Sequence, residues 1–577
     1  MVRVSDRSAS TDRPALRRAR VERLAEKGRA DVLVIGGGIN GIATARDLAL
    51  QGVDVVLVER GDFASAASAS SSHMIHGGIR YLENGEFRLV KESVQERNAL
   101  LRTTPHRVVP LETTIPIYST FSGILSAPLR FLTHRQSGKP KERGALLIKV
   151  GLTIYDTFSR GGGMVPRHRF RTRKKAHADL PALDPAVRYT ATYFDAAMHD
   201  PERLALDVLL DAESLGALAV NYVEAVGLTE RGVRLLDRET GSEFAVEADA
   251  VVNASGPWTD LTNEALGQPT RYMGGTKGSH IVLRNPELLA ATKGREIFFE
   301  HSDGRIVLIY PLKDRVMVGT TDIDADPTQP VRCTEEEVDY FFELVRHVFP
   351  AIEVDREQIV YRFSGIRPLP RHEDTAPGFV SRDYRVEVAR EPGRLPVVSL
   401  VGGKWTTFRA IGASVADAVL GVLGRPRVAS TTGRVLAGSA DYPLDDAARE
   451  RWLREHLAAV APERREVLFA RYGTRAREVA ELVAASDDRV LAGGRLSTGE
   501  LRWMLQHEHL EHLTDLVLRR TDLAFTGDVD AALLGELADA LAEVADWHAV
   551  RRDSELAACA AELAEAHRIP GLPRALD

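Results

Sequence analysis

Apolar positions along this chain change period repeatedly, and each change predicts an element. Val32, Leu33, Val34 and Ile35 form a short unbroken apolar run, the pattern of a strand buried on both faces. Gly36-Gly37-Gly38-Ile39-Asn40-Gly41 interrupts it, and Ile42, Ala45 and Leu48 then recur at helical spacing. A second strand over residues 53–58 ends on Glu59. The strand-turn-helix rhythm returns at 248–252, where Asn253-Ala254-Ser255-Gly256-Pro257-Trp258 forms the turn. It returns again at 397–401, where Gly402-Gly403 precedes a helix through Ile411, Val415 and Val419. Between these lie a charged helical pattern over 86–105 and a strand-like stretch over 189–200. A helix opened by Pro201 runs through Leu204, Val208 and Leu215, and strands at 308–311 and 316–320 are expected to pair antiparallel. Beyond about Gly424 the composition shifts to Ala, Leu, Glu and Arg at helical spacing, as in Leu533, Leu537, Leu541 and Val544. This predicts a separate helical domain over residues 426–577.

The glycine turn carries the first chemistry. Gly36, Gly38 and Gly41 permit a tight turn, close approach of backbone to a pyrophosphate and close helix-strand packing, while the helix N-terminus offers unpaired N–H groups to negative charge. Glu59, eighteen residues beyond Gly41, stands where a carboxylate accepts hydrogen bonds from an adenosine ribose. No second such unit occurs, so one tightly held dinucleotide is expected. After Glu59 comes a run of tiny residues, Ala64 to Ser72, closing in His73-Met74-Ile75-His76-Gly77-Gly78-Ile79-Arg80-Tyr81-Leu82. Small side chains and hydroxyls suit a segment lying along a large flat cofactor.

Composition narrows the class. The 577 residues imply two or three domains, and 44% hydrophobic with 27% charged residues is ordinary for a globular enzyme. A net charge of −7 argues against a nucleic-acid partner. Cys333 and Cys559 stand far apart without ligand spacing, so neither a disulfide framework nor a metal site is expected, and a reducing cytoplasm is. Nothing reaches the roughly 18 consecutive apolar residues of a spanning helix, and the first residues lack the apolar core of a signal peptide. His507, His509 and His512 with Glu508 and Glu511 are not read as a metal site, because the i,i+4 pairs each join one His to one Glu on different faces.

Several motifs in order resemble the FAD-dependent glycerol-3-phosphate dehydrogenase family of aerobic respiratory enzymes. They are the glycine turn with Asn40, then Ser71-Ser72 followed by His76-Gly77-Gly78-Ile79-Arg80-Tyr81-Leu82-Glu83. Lys277-Gly278-Ser279-His280, Gly319-Thr320-Thr321-Asp322 and Gly365-Ile366-Arg367-Pro368-Leu369 follow, and Gly402-Gly403-Lys404-Trp405-Thr406-Thr407-Phe408-Arg409 closes the set. The resemblance spans about residues 31–425. It implies an α/β fold in which a Rossmann-like FAD-binding domain (mainly 31–110, 195–265 and 360–425) is interleaved with an α+β substrate domain (mainly 111–194 and 266–359). The helical domain would follow.

The resemblance also implies oxidation of sn-glycerol 3-phosphate to dihydroxyacetone phosphate, with electrons passed from FAD to a quinone. Oxygen as acceptor, a non-catalytic flavin-binding scaffold and an amino-acid oxidase are the alternatives. The FAD contacts it implies are Gly36, Gly38, Asn40, Gly41, Glu59, Ser71, Ser72, His76, Gly77, Gly78, Ala254, Gly256, Gly403, Lys404, Thr406 and Thr407. His76, Arg367 and Lys404 take catalytic roles, and Arg80, Tyr81, His280 and Thr321 contact substrate. His76 is the first choice of proton acceptor and His280 the second. Arg519, Arg520 and Thr521 match a structural motif of the family's helical domain.

Three stretches stay open between a plain and a functional reading. Residues 13–29 hold seven basic residues against two acidic ones. The plain reading is a solvated or frayed extension (1–30), the other a basic tether to an anionic membrane. Apolar pieces between 115 and 150 alternate with a basic segment (His134, Arg135, Lys139, Lys141, Arg143), which suits either an ordinary buried helix or a monotopic contact. The basic stretch 160–180, including Arg167, Arg169, Arg171 and Lys175, is read as a solvated loop near the substrate mouth, with steering of an anionic substrate as its functional reading; Asp322 to Asp326 is read as a loop without calcium-site spacing. A cytoplasmic location, peripheral contact with the inner face of the plasma membrane, and a homodimer complete the expectations.

Overall fold

The computed structural model describes residues 15–79, 86–120, 144–159, 164–301, 305–371 and 383–572. Two sheets organise the first three quarters of the chain. In the first, five strands run parallel: β18 (Val397–Val401), β10 (Glu243–Asn253), β1 (Arg29–Ile35), β2 (Val55–Val58) and β7 (Leu218–Val220). An antiparallel strand, β17 (Arg385–Ala389), covers the β18 edge, and a hairpin of β8 (Val223–Leu228) and β9 (Gly232–Asp237) folds against β10. Chain order reverses at β1, between β2 and β10, so the crevice at its carboxyl end is a topological switch point, where open α/β sheets bind ligands. The apolar runs of β1, β2 and β18 are almost wholly buried because helices cover the sheet, among them Ile39–Leu50 and Phe408–Leu423. Among the described residues one helix, Trp405–Leu423, is long and apolar enough to cross a membrane, with mean hydropathy 1.3, and half of it is buried in this core.

The second sheet is largely antiparallel. Its order is β15 (Ile323–Asp324), β11 (Thr276–Leu283), β14 (Arg315–Gly319), β13 (Ile306–Leu312), β12 (Glu296–Glu300), β4 (Val108–Ile117), β6 (Tyr189–Met198) and β3 (Met74–Ile75). In addition β16 (Ile359–Arg367) pairs with β11, and β5 (Arg169–Thr172) with β6. The chain therefore crosses between the sheets more finely than the expected segments allow. β3 and all of β6 belong to the second sheet, and so does β16, although it falls almost wholly within the segment 360–425 expected to be mainly FAD-binding.

Two stretches expected to be unstructured are ordered. The basic run contains β5 and the helix Arg173–Asp179, and its charges find partners: Arg169 donates to Glu112 at 2.7 Å, and Arg171 stands 3.4 Å from Asp179. Alternating arginines on a short edge strand keep that edge from pairing further. The helix Ala15–Lys27 is no frayed extension. It buries Leu24, and Arg17 donates to Asp237 (2.5 Å) and to the Tyr222 carbonyl (3.0 Å). Two residues of the acidic stretch form β15, paired with the edge of β11. The basic segment 134–143 lies outside the described residues.

The remainder is helical, with its own core around Leu457, Phe469, Leu516 and Leu541. Its histidines go to separate partners. His509 Nε2 meets Glu213 at 3.0 Å, while His512 sits between Glu555 (2.8 Å) and Glu239 (3.2 Å). Although burial opposes it, hydrogen bonds to Glu239 and Glu555 push the His512 imidazole up to about 11. Among the described residues no three metal-binding side chains gather.

Candidate active site

A cleft of about 910 Å³ opens at the carboxyl end of β1, in the size range of cofactor sites. Gly36, Gly38, Asn40, Glu59, Ala254, Gly256 and Tyr222 line it, with Ser65 to Ser68 and Ser70 along one side and Ser364 to Ile366 contributed by β16. The glycine turn is built on close backbone contact. Gly36 has φ +109°, and a Cβ there would stand 2.6 Å from the Ala254 carbonyl oxygen. A Cβ on Gly41 would stand 1.9 Å from the Gly36 carbonyl oxygen. Glu59 ties this turn to the loop after β2, accepting from Gly37 N (2.7 Å) and Gly61 N (2.9 Å). Burial raises its carboxyl above the ordinary range, against the pull of those two amides.

The small-residue segment is a strut between the two sheets. Ser68 Oγ accepts from Ile39 N at the start of the helix (3.0 Å), and its carbonyl accepts from Trp405 Nε1 (2.9 Å). Ser68 was missed in the sequence because nothing distinguishes one serine of that run from the next. Ser71 Oγ accepts from His73 N at 3.3 Å, and Ser72 Oγ meets His280 Nε2 at 2.9 Å. Thr406 Oγ1 holds the His76 backbone from both sides, accepting from its N–H and donating to its carbonyl, each at 3.1 Å. Gly403, at φ +114°, leaves room for the Asn40 amide nitrogen, which would otherwise lie 2.7 Å from a Cβ. Asn40 Oδ1 and Thr407 Oγ1 are buried without a hydrogen-bond partner among the described residues, the condition of groups that await a ligand or water. Lys404 begins the turn after β18, near enough to Glu92 to draw that carboxyl's pKa downward, although burial raises it overall.

A second device fixes the turn at Gly77. Asp195, 1% exposed on β6, accepts through Oδ1 from Gly77 N (3.0 Å), Arg97 Nη1 (2.8 Å) and the Tyr155 hydroxyl (2.6 Å). Arg97 is fully buried on the helix Phe87–Thr103. Arg97→Ala would strand a buried carboxylate and is expected to cost about 3–5 kcal/mol. Denaturant unfolding of the two proteins measures it, and equal midpoints would remove Arg97 as the anchor of Asp195.

Arg367 closes β16. Its Nη2 donates to Thr320 Oγ1 (2.8 Å) and to the Thr321 carbonyl (2.9 Å), and its Nη1 to Asp322 Oδ1 (3.1 Å). His280 is 2% exposed and stacked on Phe363 at 4.7 Å; burial, with the charges of Arg367 and His73, holds it well below the ordinary histidine range. Enclosed in this way, with Nε2 on Ser72 Oγ, the His280 ring braces that segment. Thr321 also departs from expectation. Its hydroxyl accepts from Ser279 N (3.0 Å) and donates to Glu337 Oε1 (2.6 Å) at 1% exposure, so it braces the sheet where a substrate contact is expected. Arg80 and Tyr81 lie outside the described residues. The structure thus ties Thr406 to the His76 backbone, sets Lys404 next to Gly403, which packs on the cleft residue Asn40, and joins Arg367 to the cleft through Ile366.

Residues 31–418 match the family model described as FAD dependent oxidoreductase. Fold and cleft therefore define a flavoprotein oxidoreductase, whose cofactor is FAD. Residues 429–552 match a model described as the C-terminal domain of alpha-glycerophosphate oxidase. A glycerol-3-phosphate dehydrogenase of Synechocystis is 33% identical over 91% of this chain and 95% of its own length. The aerobic glycerol-3-phosphate dehydrogenase of Escherichia coli is 30% identical over 85% and 93%. The chain belongs to the glycerol-3-phosphate dehydrogenase family. In fold it follows the Bacillus halodurans glycerol-3-phosphate dehydrogenase solved with FAD, at TM-score 0.73 and 23% identity, covering 96% of this chain and 98% of that one.

Proposed function

We propose that this enzyme oxidises sn-glycerol 3-phosphate to dihydroxyacetone phosphate, the substrate carbon giving a hydride to FAD and the electrons passing on to a quinone. The observation that carries the reading is that Arg367 ends β16, whose Ser364 to Ile366 line the cofactor cleft, while Lys404 follows Gly403, which packs on the cleft residue Asn40, together with relatives named for this substrate. Bound FAD supplies the hydride-accepting ring. Gly36, Gly38, Asn40, Gly41, Glu59, Ala254 and Gly256 would hold its adenosine and pyrophosphate half, and the Ser68–Gly78 segment with Gly403, Thr406 and Thr407 the remainder.

The planar donor fork of Arg367 suits two oxygens of a phosphate, and Lys404 adds a point charge; Arg80 and Tyr81 are the further contacts proposed. His76 is the proposed acceptor of the hydroxyl proton. Its backbone is fixed by Thr406 while the side chain stays partly accessible. Oxygen is the second reading for the acceptor, favoured by the match of residues 429–552 to an oxidase's C-terminal domain.

Anaerobic titration of the purified enzyme with sn-glycerol 3-phosphate should bleach the flavin absorbance stoichiometrically. A water-soluble quinone should then restore the colour faster than air does. Flavin that stays yellow under saturating substrate would end the substrate assignment, and faster recovery in air would favour the oxidase.

Peripheral membrane contact fits the helix Ala145–Ser159. Leu146, Val150 and Ile154 lie at i, i+4 and i+8 and are 49%, 50% and 39% exposed, with Lys149 beside them. The enzyme should float with anionic liposomes at low salt and come off at high salt, and Val150→Asp should weaken flotation; a protein that stays at the bottom of the gradient at low salt rules the contact out.

A further inference from the structure

We propose that the C-terminal helical domain governs how tightly FAD is held, acting through Asp62. The loop after β2 joins two sets of contacts. On the cofactor side, Glu59 binds the amides of Gly37 and Gly61, Ala64 N returns to the Gly37 carbonyl (3.0 Å), and Glu59, Arg60 and Gly61 line the cleft. On the other, Asp62 is 2% exposed and stands within the helical domain's reach. Arg520 Nη2 donates to its Oδ1 (2.8 Å) and Arg520 Nη1 to its Oδ2 (2.6 Å), while Arg519 Nε donates to the same Oδ2 (2.5 Å).

Both arginines are themselves fixed. Arg520 donates to the carbonyls of Glu508 (2.9 Å) and His509 (3.2 Å), and Arg519 to Asp515 (2.7 Å). Phe63, next in the loop, meets the His509 ring edge-on at 5.1 Å. Tyr222 lines the cleft, donates its N–H to the Gly61 carbonyl (3.0 Å), and donates its hydroxyl to the same Asp515 (2.6 Å).

The helical domain therefore grips the two cleft walls nearest Glu59 without lining the cleft through Arg519 or Arg520. A bidentate guanidinium-carboxylate pair inside a dry interface has one geometry, so it transmits position. Loosening it frees Gly61, and with it one of the two amides that aim the Glu59 carboxylate. Asp62, Arg519 and Arg520 are positioning residues for the cofactor, and this holds whichever substrate the enzyme oxidises.

The test follows FAD release from diluted holoenzyme by the rise of free-flavin fluorescence, well below each protein's melting temperature. Asp62→Asn and the milder Arg520→Lys are compared with Arg464→Gln. Arg464 pairs with Glu500 wholly inside the helical domain, so its loss weakens that domain without touching the loop. Asp62→Asn and Arg520→Lys should release FAD about tenfold faster, the scale of a typical coupling between two sites, with Arg464→Gln at the parental rate. Should Asp62→Asn fail to fold, Arg520→Lys carries the comparison. Parental release from Arg520→Lys, or equally fast release from Arg464→Gln, overturns the proposal.

Discussion

Gly41→Ala should give a protein purified with little or no flavin. The added methyl would stand 1.9 Å from the Gly36 carbonyl oxygen and 3.3 Å from the Ala254 Cβ, and both belong to backbone turns rather than to flexible side chains. Relief requires the helix Ile39–Leu50 to move away from β1. That opens the turn proposed to hold the pyrophosphate and separates it from Glu59. Overpacking of this kind costs about 1–3 kcal/mol, and if that cost falls on the bound state FAD affinity drops by roughly ten- to a hundredfold. The absorbance ratio of flavin to protein, followed by FAD titration of the stripped variant, measures the effect. Stoichiometric flavin with parental affinity would mean that the turn does not form the pyrophosphate site. Gly52→Ala is the control for alanine itself, because a Cβ there meets nothing within 4 Å, although its φ of +74° makes a small loss of stability expected.

Arg367→Ala should lower kcat/KM for sn-glycerol 3-phosphate by about a hundred- to a thousandfold, the scale for removing one donor aimed at developing or fixed charge, while FAD remains bound. Two terms need separating. The guanidinium also donates to Thr320, the Thr321 carbonyl and Asp322, so its removal leaves partly buried acceptors to be satisfied by water and should lower stability by about 1 kcal/mol. Arg367→Lys keeps the charge but loses the planar fork and should recover only part of the rate. Asp322→Asn removes the carboxylate partner while keeping Arg367. If kcat/KM follows melting temperature across the three variants, Arg367 acts through the fold; if Arg367→Lys is nearly as stable as the parent yet remains far slower, the residue acts on the substrate.

Much of the cofactor half was legible from residue order alone, because its signals are local. An apolar run of four, a glycine turn, a helical period and a terminal acid lie within thirty residues, and each element needs only its neighbours to form. The strands at 397–401 and 308–311 were readable for the same reason. The helix Ala15–Lys27 was harder to place. Its arginines look like solvated charge until Asp237 and the carbonyls of Asn221 and Tyr222 arrive from some two hundred residues away. Thr321 misled in the opposite direction. The family resemblance implies a substrate contact for it, whereas Ser279 and Glu337, supplied by other elements, engage its hydroxyl.

By itself the sequence determined that FAD is the cofactor of the family it resembles, that a helical domain follows, and, through motifs in a fixed order, which family of enzymes this is. Only the tertiary structure decided that β16 belongs with the second sheet, that His280 is buried against Ser72, and that Asp62 meets Arg519 and Arg520 of the helical domain. The division has a physical origin. Propensity, periodicity and turn chemistry act over a few residues, whereas the protonation of a histidine or the partner of a buried carboxylate depends on groups hundreds of positions distant, brought within 3 Å by packing.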